Sequence, residues 1–63
     1  MIFTQIVPFR NGKYLIDYKT RFSSYRKVAR FDDLEEAKQF VKDCLPEYMI
    51  CKFPDGSKVR GEQ

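Results

Sequence analysis

Apolar and polar residues alternate along the first half of the chain, which is the pattern of half-buried β-strands. The runs "TQIVPF" and "KYLIDYK" are rich in strand-forming residues and are separated by "RNG". Asn11 and Gly12 tolerate the positive φ angles of a tight type I′ turn, so these runs are predicted to form a hairpin. "YRKVARF" follows the polar residues Ser23 and Ser24 and predicts a second hairpin.

The next segment has the spacing of an amphipathic helix. "DDLEEAKQFVKDCLP" begins with Asp32 or Asp33 as the N-cap and ends at Pro46, which cannot continue a helix. The residues at helical spacing on its apolar face are Leu34, Ala37, Phe40, Val41, Cys44 and Leu45.

After the helix, "YMICKF" reads as another strand, and "PDGS" as a turn into the short "KVR". We therefore predict an α+β fold: a small antiparallel sheet in the order β-β-β-α-β, with or without a fifth short strand, and one helix on one face. Residues 1–63 are expected to form a single domain and a complete small protein, with 61–63 frayed at the end.

Alternation also predicts which side chains share a face of the sheet. A loop at Ser23 and Ser24 would place Phe22 opposite Tyr25, and the same register places Tyr18 opposite Ala29, Ile16 opposite Phe31 and Asp17 opposite Arg30. The face beneath the helix would then collect six rings: Phe9, Tyr14, Tyr18, Phe22, Tyr25 and Phe31. This burial favours a packed core over a base-stacking platform.

The opposite face is predicted to be open and basic. Its rim would consist of six cations, namely Arg10, Lys13, Lys19, Arg21, Arg26 and Arg30. Its apolar centre would consist of Ile6, Leu15 and Val28. The assignment depends on register, because a shift of one residue exchanges the two faces.

Composition sharpens this picture, since charge is unevenly distributed over 63 residues. The net charge is +3, but residues 10–30 carry +6 and residues 31–48 carry −4. Such asymmetry influences the choice of partner even when net charge is modest. The acidic half is explained by helix capping and a solvated helix face, so the basic half is the more informative.

Catalytic chemistry is poorly represented. The chain has no His, its glycines form no phosphate-binding pattern, and Cys44 and Cys51 are its only cysteines. We expect no enzyme activity, no cofactor and no metal. The two thiols are expected to be reduced and buried, the alternative being a bridge between them. No signal peptide or membrane span is evident, so a cytoplasmic location is predicted.

Three interpretations of the basic face remain open. It could bind nucleic acid, most readily DNA, with Lys and Arg neutralising phosphates. Alternatively, the protein could be a small regulator or inhibitor that uses this face to dock onto an acidic partner protein, or onto a second copy of itself in a homodimer. The third possibility is structural, since charges on exposed strands discourage aggregation. The first is preferred, with the protein partner as the alternative.

The order of three strands and a helix, with "GKY" opening the second strand and "RFDDLEEAKQF" passing into the helix, resembles one known class. It is similar to the small sheet-plus-helix DNA-binding modules at the N-termini of some phage and transposon integrases. The likeness covers residues 12–42 and implies a sheet placed on the major groove. It includes no diagnostic motif, and the strands after the helix do not fit it, so no binding residue is carried over.

Overall fold

Six strands and one helix build the protein, seen in a computed structural model that describes residues 3–19 and 23–63. The α+β class is confirmed. The elements are β1 (Phe3–Ile6), β2 (Phe9–Arg10), β3 (Lys13–Tyr18), β4 (Lys27–Phe31), α1 (Leu34–Cys44), β5 (Met49–Lys52) and β6 (Lys58–Arg60).

The prediction of a single antiparallel sheet is wrong, because the described strands form two sheets of three strands each. The antiparallel sheet has the order β2-β3-β4. The mixed sheet has the order β1-β5-β6, with β1 parallel to β5 and β6 antiparallel to it. The first predicted strand is therefore divided between the two sheets.

Pro8 explains where the chain passes from one sheet to the other. The N–H of Leu15 donates to the C=O of Pro8 at 3.1 Å, but Pro8 has no N–H to return the bond. The N–H of the preceding residue, Val7, points to the other side of the strand and donates to Lys52 of β5 at 2.9 Å. The β2–β3 ladder therefore ends at Pro8, because Pro8 cannot donate a backbone hydrogen bond to β3.

The first predicted hairpin is confirmed. Arg10 pairs with Lys13 across a turn in which Asn11 has φ 53° and Gly12 has φ 75°. Both values lie in the left-handed region that a type I′ turn requires.

The second hairpin forms, but its register differs by two residues from the predicted one. Tyr18 faces Lys27 instead of Ala29, and Ile16 faces Ala29 instead of Phe31. β4 begins only at Lys27, and residues 23–26 before it are not in a strand. Among them, the hydroxyl of Ser23 donates to the C=O of Tyr25 at 3.0 Å. A shift of two preserves the faces of both strands. Thr20, Arg21 and Phe22 lie outside the described residues, so the predicted Phe22–Tyr25 pairing does too.

The helix begins where the capping pattern predicts. The carboxylate of Asp33 accepts a hydrogen bond from the N–H of Glu35 at 3.3 Å, and Asp33 itself is extended. The helix ends before Leu45 and Pro46. Its predicted apolar face is buried at Ala37 and Val41 and half-buried at Leu34 and Phe40, whereas Cys44 is exposed.

One core lies between α1 and the two sheets. It combines Val7 at the crossover, Ile16 of β3 and Cys51 of β5 with residues of the helix and its end. The fully buried members of this cluster are Val7, Ile16, Ala37, Val41, Leu45, Cys51 and Phe53. Both sheets therefore depend on the same apolar contacts.

The C-terminal residues, for which the sequence predicts fraying, are held by four backbone hydrogen bonds. Gly61 donates to Met49, Glu62 to Lys42 and Gln63 to Leu45, each at 3.1 Å, and Glu47 donates to Gln63 at 3.2 Å. Gly61 is buried. Residues 61–63 are thus hydrogen-bonded to the C-terminal end of α1 and to the segment that follows it.

Candidate nucleic-acid interface

The antiparallel sheet has an inner face toward α1 and an outer face away from it. Ile16 is fully buried on the inner face, while Leu15 and Asp17 point to the outer face, opposite Arg30 and Val28. Extending the same alternation adds residues at the strand ends. The outer face, as used below, consists of Arg10, Lys13, Leu15, Asp17, Lys19, Arg26, Val28 and Arg30.

Five of the six predicted cations are brought together on this face; Arg21 lies outside the described residues. Arg10, Lys19, Arg26 and Arg30 are exposed, and Lys13 is half-buried with its side chain 45% exposed. The outer face is therefore open to solvent and predominantly cationic among the residues that the structure describes.

Two of the cations are paired with carboxylates. The Nε of Arg26 lies 3.1 Å from Oδ1 of Asp17, and the Nζ of Lys13 contacts Oδ1 of Asp32. The predicted Asp17–Arg30 pair is wrong, because the shifted register places Leu15 opposite Arg30. Exposed pairs of this kind contribute about 0–1 kcal/mol each, so they orient side chains more than they stabilise the fold.

Three cations have no acidic partner among the described residues: Arg10, Lys19 and Arg30. Arg10 lies on β2, Lys19 directly follows β3, and Arg30 lies on β4. These side chains are available to an external anion without breaking an internal ion pair.

The predicted apolar centre of the face is not assembled as expected. Leu15 is half-buried and Val28 is 51% exposed, and both are on the outer face. Ile6 is 74% exposed but belongs to β1 in the mixed sheet, because the chain leaves the antiparallel sheet at Pro8. The proline was the sequence signal that could have located this break.

A cleft of about 700 Å³ adjoins one end of the outer face. It opens between β1 and the end of β3, and sequence reasoning missed it because it depends on the division into two sheets. Its lining residues are Thr4, Gln5, Ile6, Pro8, Asp17, Tyr18, Lys19, Arg26, Tyr48 and Met49.

The aromatic rings lie mainly on the inner side, as predicted. Phe40 of the helix contacts Tyr18 and Phe31, with ring centroids 5.5 and 5.1 Å apart, and Tyr14 contacts Phe9 at 4.6 Å. The prediction that Tyr25 is a core residue is wrong, since it is 77% exposed. Phe9, also predicted to lie in the core, is 52% exposed. The outer face carries no described aromatic residue on which a base could stack.

Charges on the helix side are mixed in sign, so the charge separation is weaker in space than along the chain. Lys38 lies 3.2 Å from Asp55 and 3.9 Å from Glu35. The neighbouring surface interleaves Lys42, Lys58, Arg60 and Glu62. This surface offers no concentration of one sign comparable to the outer face.

The perturbed acid–base groups lie away from the outer face. Burial raises the pKa of the Cys51 thiol to about 11, so it is protonated at neutral pH. Hydrogen bonds from Ser57, with Lys38 nearby, lower the pKa of Asp55 to about 2 in the β5–β6 turn. Both cysteines are free, and Cys44 is exposed, against the prediction that both are buried.

Among the described residues, no group of three or more potential ligands from His, Cys, Asp and Glu could hold a metal ion. Within the same part of the chain, no helix has the length and apolar character needed to cross a membrane.

Comparison of the chain with models of protein families, with curated proteins and with solved structures found no match. The likeness to integrase DNA-binding modules therefore stays an expectation.

Proposed function

We propose that this protein binds nucleic acid, with duplex DNA favoured, through the outer face of the antiparallel sheet. The observation that carries the proposal is the group of three exposed cations without a described acidic partner, Arg10, Lys19 and Arg30, on one uncovered face. Lys13 and Arg26 extend the same surface. No catalytic step is part of this function.

The expected mode of binding is neutralisation of phosphates. Each Lys or Arg that contacts a phosphate releases condensed counterions, which supplies sequence-independent affinity. β3 and β4 are adjacent antiparallel strands of the β2-β3-β4 sheet, and strands of a β-sheet can read DNA in the major groove. A duplex is preferred to a single strand because the described rings mostly face the core, where they cannot stack on bases.

Titration of a labelled duplex at about 50 and about 200 mM salt tests the proposal. If three cations each contact one phosphate, affinity falls roughly 40-fold between these concentrations, and if five do so it falls roughly 500-fold. Binding that is absent at the lower salt concentration, or that does not respond to salt, would rule the proposal out.

A pair of double variants separates a specific face from net charge. Arg10→Glu with Arg30→Glu removes two outer-face cations, and Lys42→Glu with Lys58→Glu changes the total charge equally on the helix side. We expect the first pair to abolish detectable binding and the second to retain most of it. Equal losses in both would show that only total charge matters. Circular dichroism verifies that each variant is folded.

A second candidate function is docking onto an acidic partner protein, as a small regulator or inhibitor. Val28 favours it, because an aliphatic side chain 51% exposed among cations resembles the centre of a small interface. Val28→Asp would then weaken partner capture while only modestly changing duplex binding. Sedimentation of the unmodified protein tests the homodimer, which the same substitution should dissociate.

A further inference from the structure

The cleft beside the outer face exists because two strands separate. The ladder between β2 and β3 ends at Pro8 and Leu15, and β1, which precedes Pro8 in the chain, pairs with β5 instead. β1 and the second half of β3 diverge from that point. The volume of the cleft, about 700 Å³, is within the range of roughly 300–1,000 Å³ typical of ligand sites.

Both walls of the cleft are strand edges with backbone groups directed into it. Successive residues of a strand point their N–H and C=O groups to alternate sides. The N–H of Leu15 points to Pro8, so the backbone N–H and C=O of Asp17 point to the same side of β3, where β1 has already diverged. The N–H of Val7 points to β5, so the backbone of Ile6 points to the cleft.

Among the described residues, no backbone hydrogen bond joins Ile6 to Asp17 across this space. Such an edge is a template for a further strand, because its donors and acceptors repeat at the spacing of an extended chain.

The side chains that line the cleft are partly apolar and partly charged. The apolar or aromatic members include Ile6, Pro8, Tyr18 and Met49. Among the charged members, Asp17 is paired with Arg26, which leaves Lys19 as a cation without a described acidic partner. The charged lining therefore has an excess of positive charge, which is complementary to an acidic ligand.

We propose that the cleft binds an extended peptide segment of a partner protein in which acidic and apolar residues alternate. The peptide adds as a strand to the free edge of β3, and its backbone pairs with Asp17. Its apolar side chains lie beside Tyr18 and Met49, and its acidic side chains lie near Lys19 and Arg26. This is strand addition with side-chain specificity from the cleft.

Titration calorimetry and amide NMR with three capped hexapeptides test the site. The first alternates glutamate with valine, the second alternates lysine with valine, and the third is the first peptide with N-methylated backbone amides. We expect the first to bind and to shift the amides of Ile6, Asp17 and Lys19. Because N-methylation removes the donors needed for strand pairing, the third should bind at least about tenfold more weakly.

Charge reversal at Lys19, compared with charge reversal on the outer face, tests whether the cleft is the binding site. Lys19→Glu should weaken the acidic peptide and strengthen the lysine peptide, whereas Arg10→Glu with Arg30→Glu should leave the acidic peptide unaffected. The second variant separates this site from the proposed nucleic-acid face. Absence of binding, amide shifts centred on Arg30, or equal binding of the N-methylated peptide would each overturn the proposal.

Discussion

At the residue scale, Cys51 makes the stability of the fold depend on pH in the alkaline range. Its thiol is fully buried, and burial raises its pKa from 9.0 to about 11. The folded state therefore holds this proton more tightly than the unfolded state does. The resulting stabilisation is complete below pH 9 and is lost as pH rises through about 11.

Cys51→Ala should accordingly flatten the pH dependence of stability over that window. Urea unfolding at several pH values between about 8 and about 11 measures it. The comparison is between slopes, because the smaller side chain also lowers stability at every pH. Cys44→Ala is the matched control, since it removes the exposed thiol and keeps the buried one. An unaltered slope in Cys51→Ala would show that other groups cause the alkaline loss.

Gly61 is constrained by close packing of backbone against backbone. A Cβ at this position would overlap the carbonyl oxygens of Leu45 and Pro46, which cannot rotate away as a side chain could. Gly61→Ala should therefore destabilise the protein by about 1–3 kcal/mol, measured by urea unfolding. Glu62→Ala, at an exposed neighbour, should have an effect within about 0.5 kcal/mol. Equal effects of the two substitutions would mean that the C-terminal residues are not held at the helix end.

At the element scale, the mixed sheet contains an unfavourable pair of like charges. Lys52 of β5 and Lys58 of β6 are directly opposite each other, and both are exposed. Like charges in this position repel, whereas opposite charges contribute roughly 0.2–1 kcal/mol. Lys58→Glu should therefore stabilise the fold by about 0.5–1 kcal/mol at low salt.

The measurement is the urea midpoint at about 50 mM and about 1 M salt, because screening should remove most of the gain. Lys42→Glu serves as the control, and it should not stabilise, since a cation is favoured in the last turn of a helix. A gain that persisted at high salt would point to packing instead of charge.

The elements themselves could be predicted from sequence because their signals are local. Asn11 and Gly12 specify the first turn, Asp33 specifies the helix start, and the later strands follow from short apolar runs. The pairing of those strands is not a local property. Nothing near Phe3–Ile6 indicates that β1 lies parallel to β5, about 45 residues away, although Pro8 marks where pairing with β3 must stop.

The outer face was predictable for a similar reason. A register error of two residues does not change which face a side chain of β3 or β4 occupies. The cations were therefore assigned to the correct face, although the residues opposite them were not predicted correctly. The cleft could not be predicted, because it arises from the divergence of β1 and β3. Tyr25 was misplaced because β4 begins only at Lys27, so Tyr25 is not in a strand and is exposed.

At the scale of the whole molecule, the two sheets should unfold together. Ile16 of the antiparallel sheet and Cys51 of the mixed sheet pack in one core with Val41 of the helix, so neither sheet keeps a buried face without the other. A chain of this size buries only about 60% of its unfolded surface, which leaves little stability for a partly folded form. A single cooperative transition is therefore expected.

The two thiols report on this prediction directly. Cys44 is exposed and should react with a thiol reagent in the native protein, whereas Cys51 should react only when the shared core opens. In urea, the protection of Cys51 should disappear at the same midpoint as the circular dichroism signal and the tyrosine fluorescence. The Cys44→Ala variant isolates the Cys51 signal. If Cys51 becomes reactive at a lower urea concentration than that at which the dichroism changes, the mixed sheet opens independently and the shared core does not couple the two sheets.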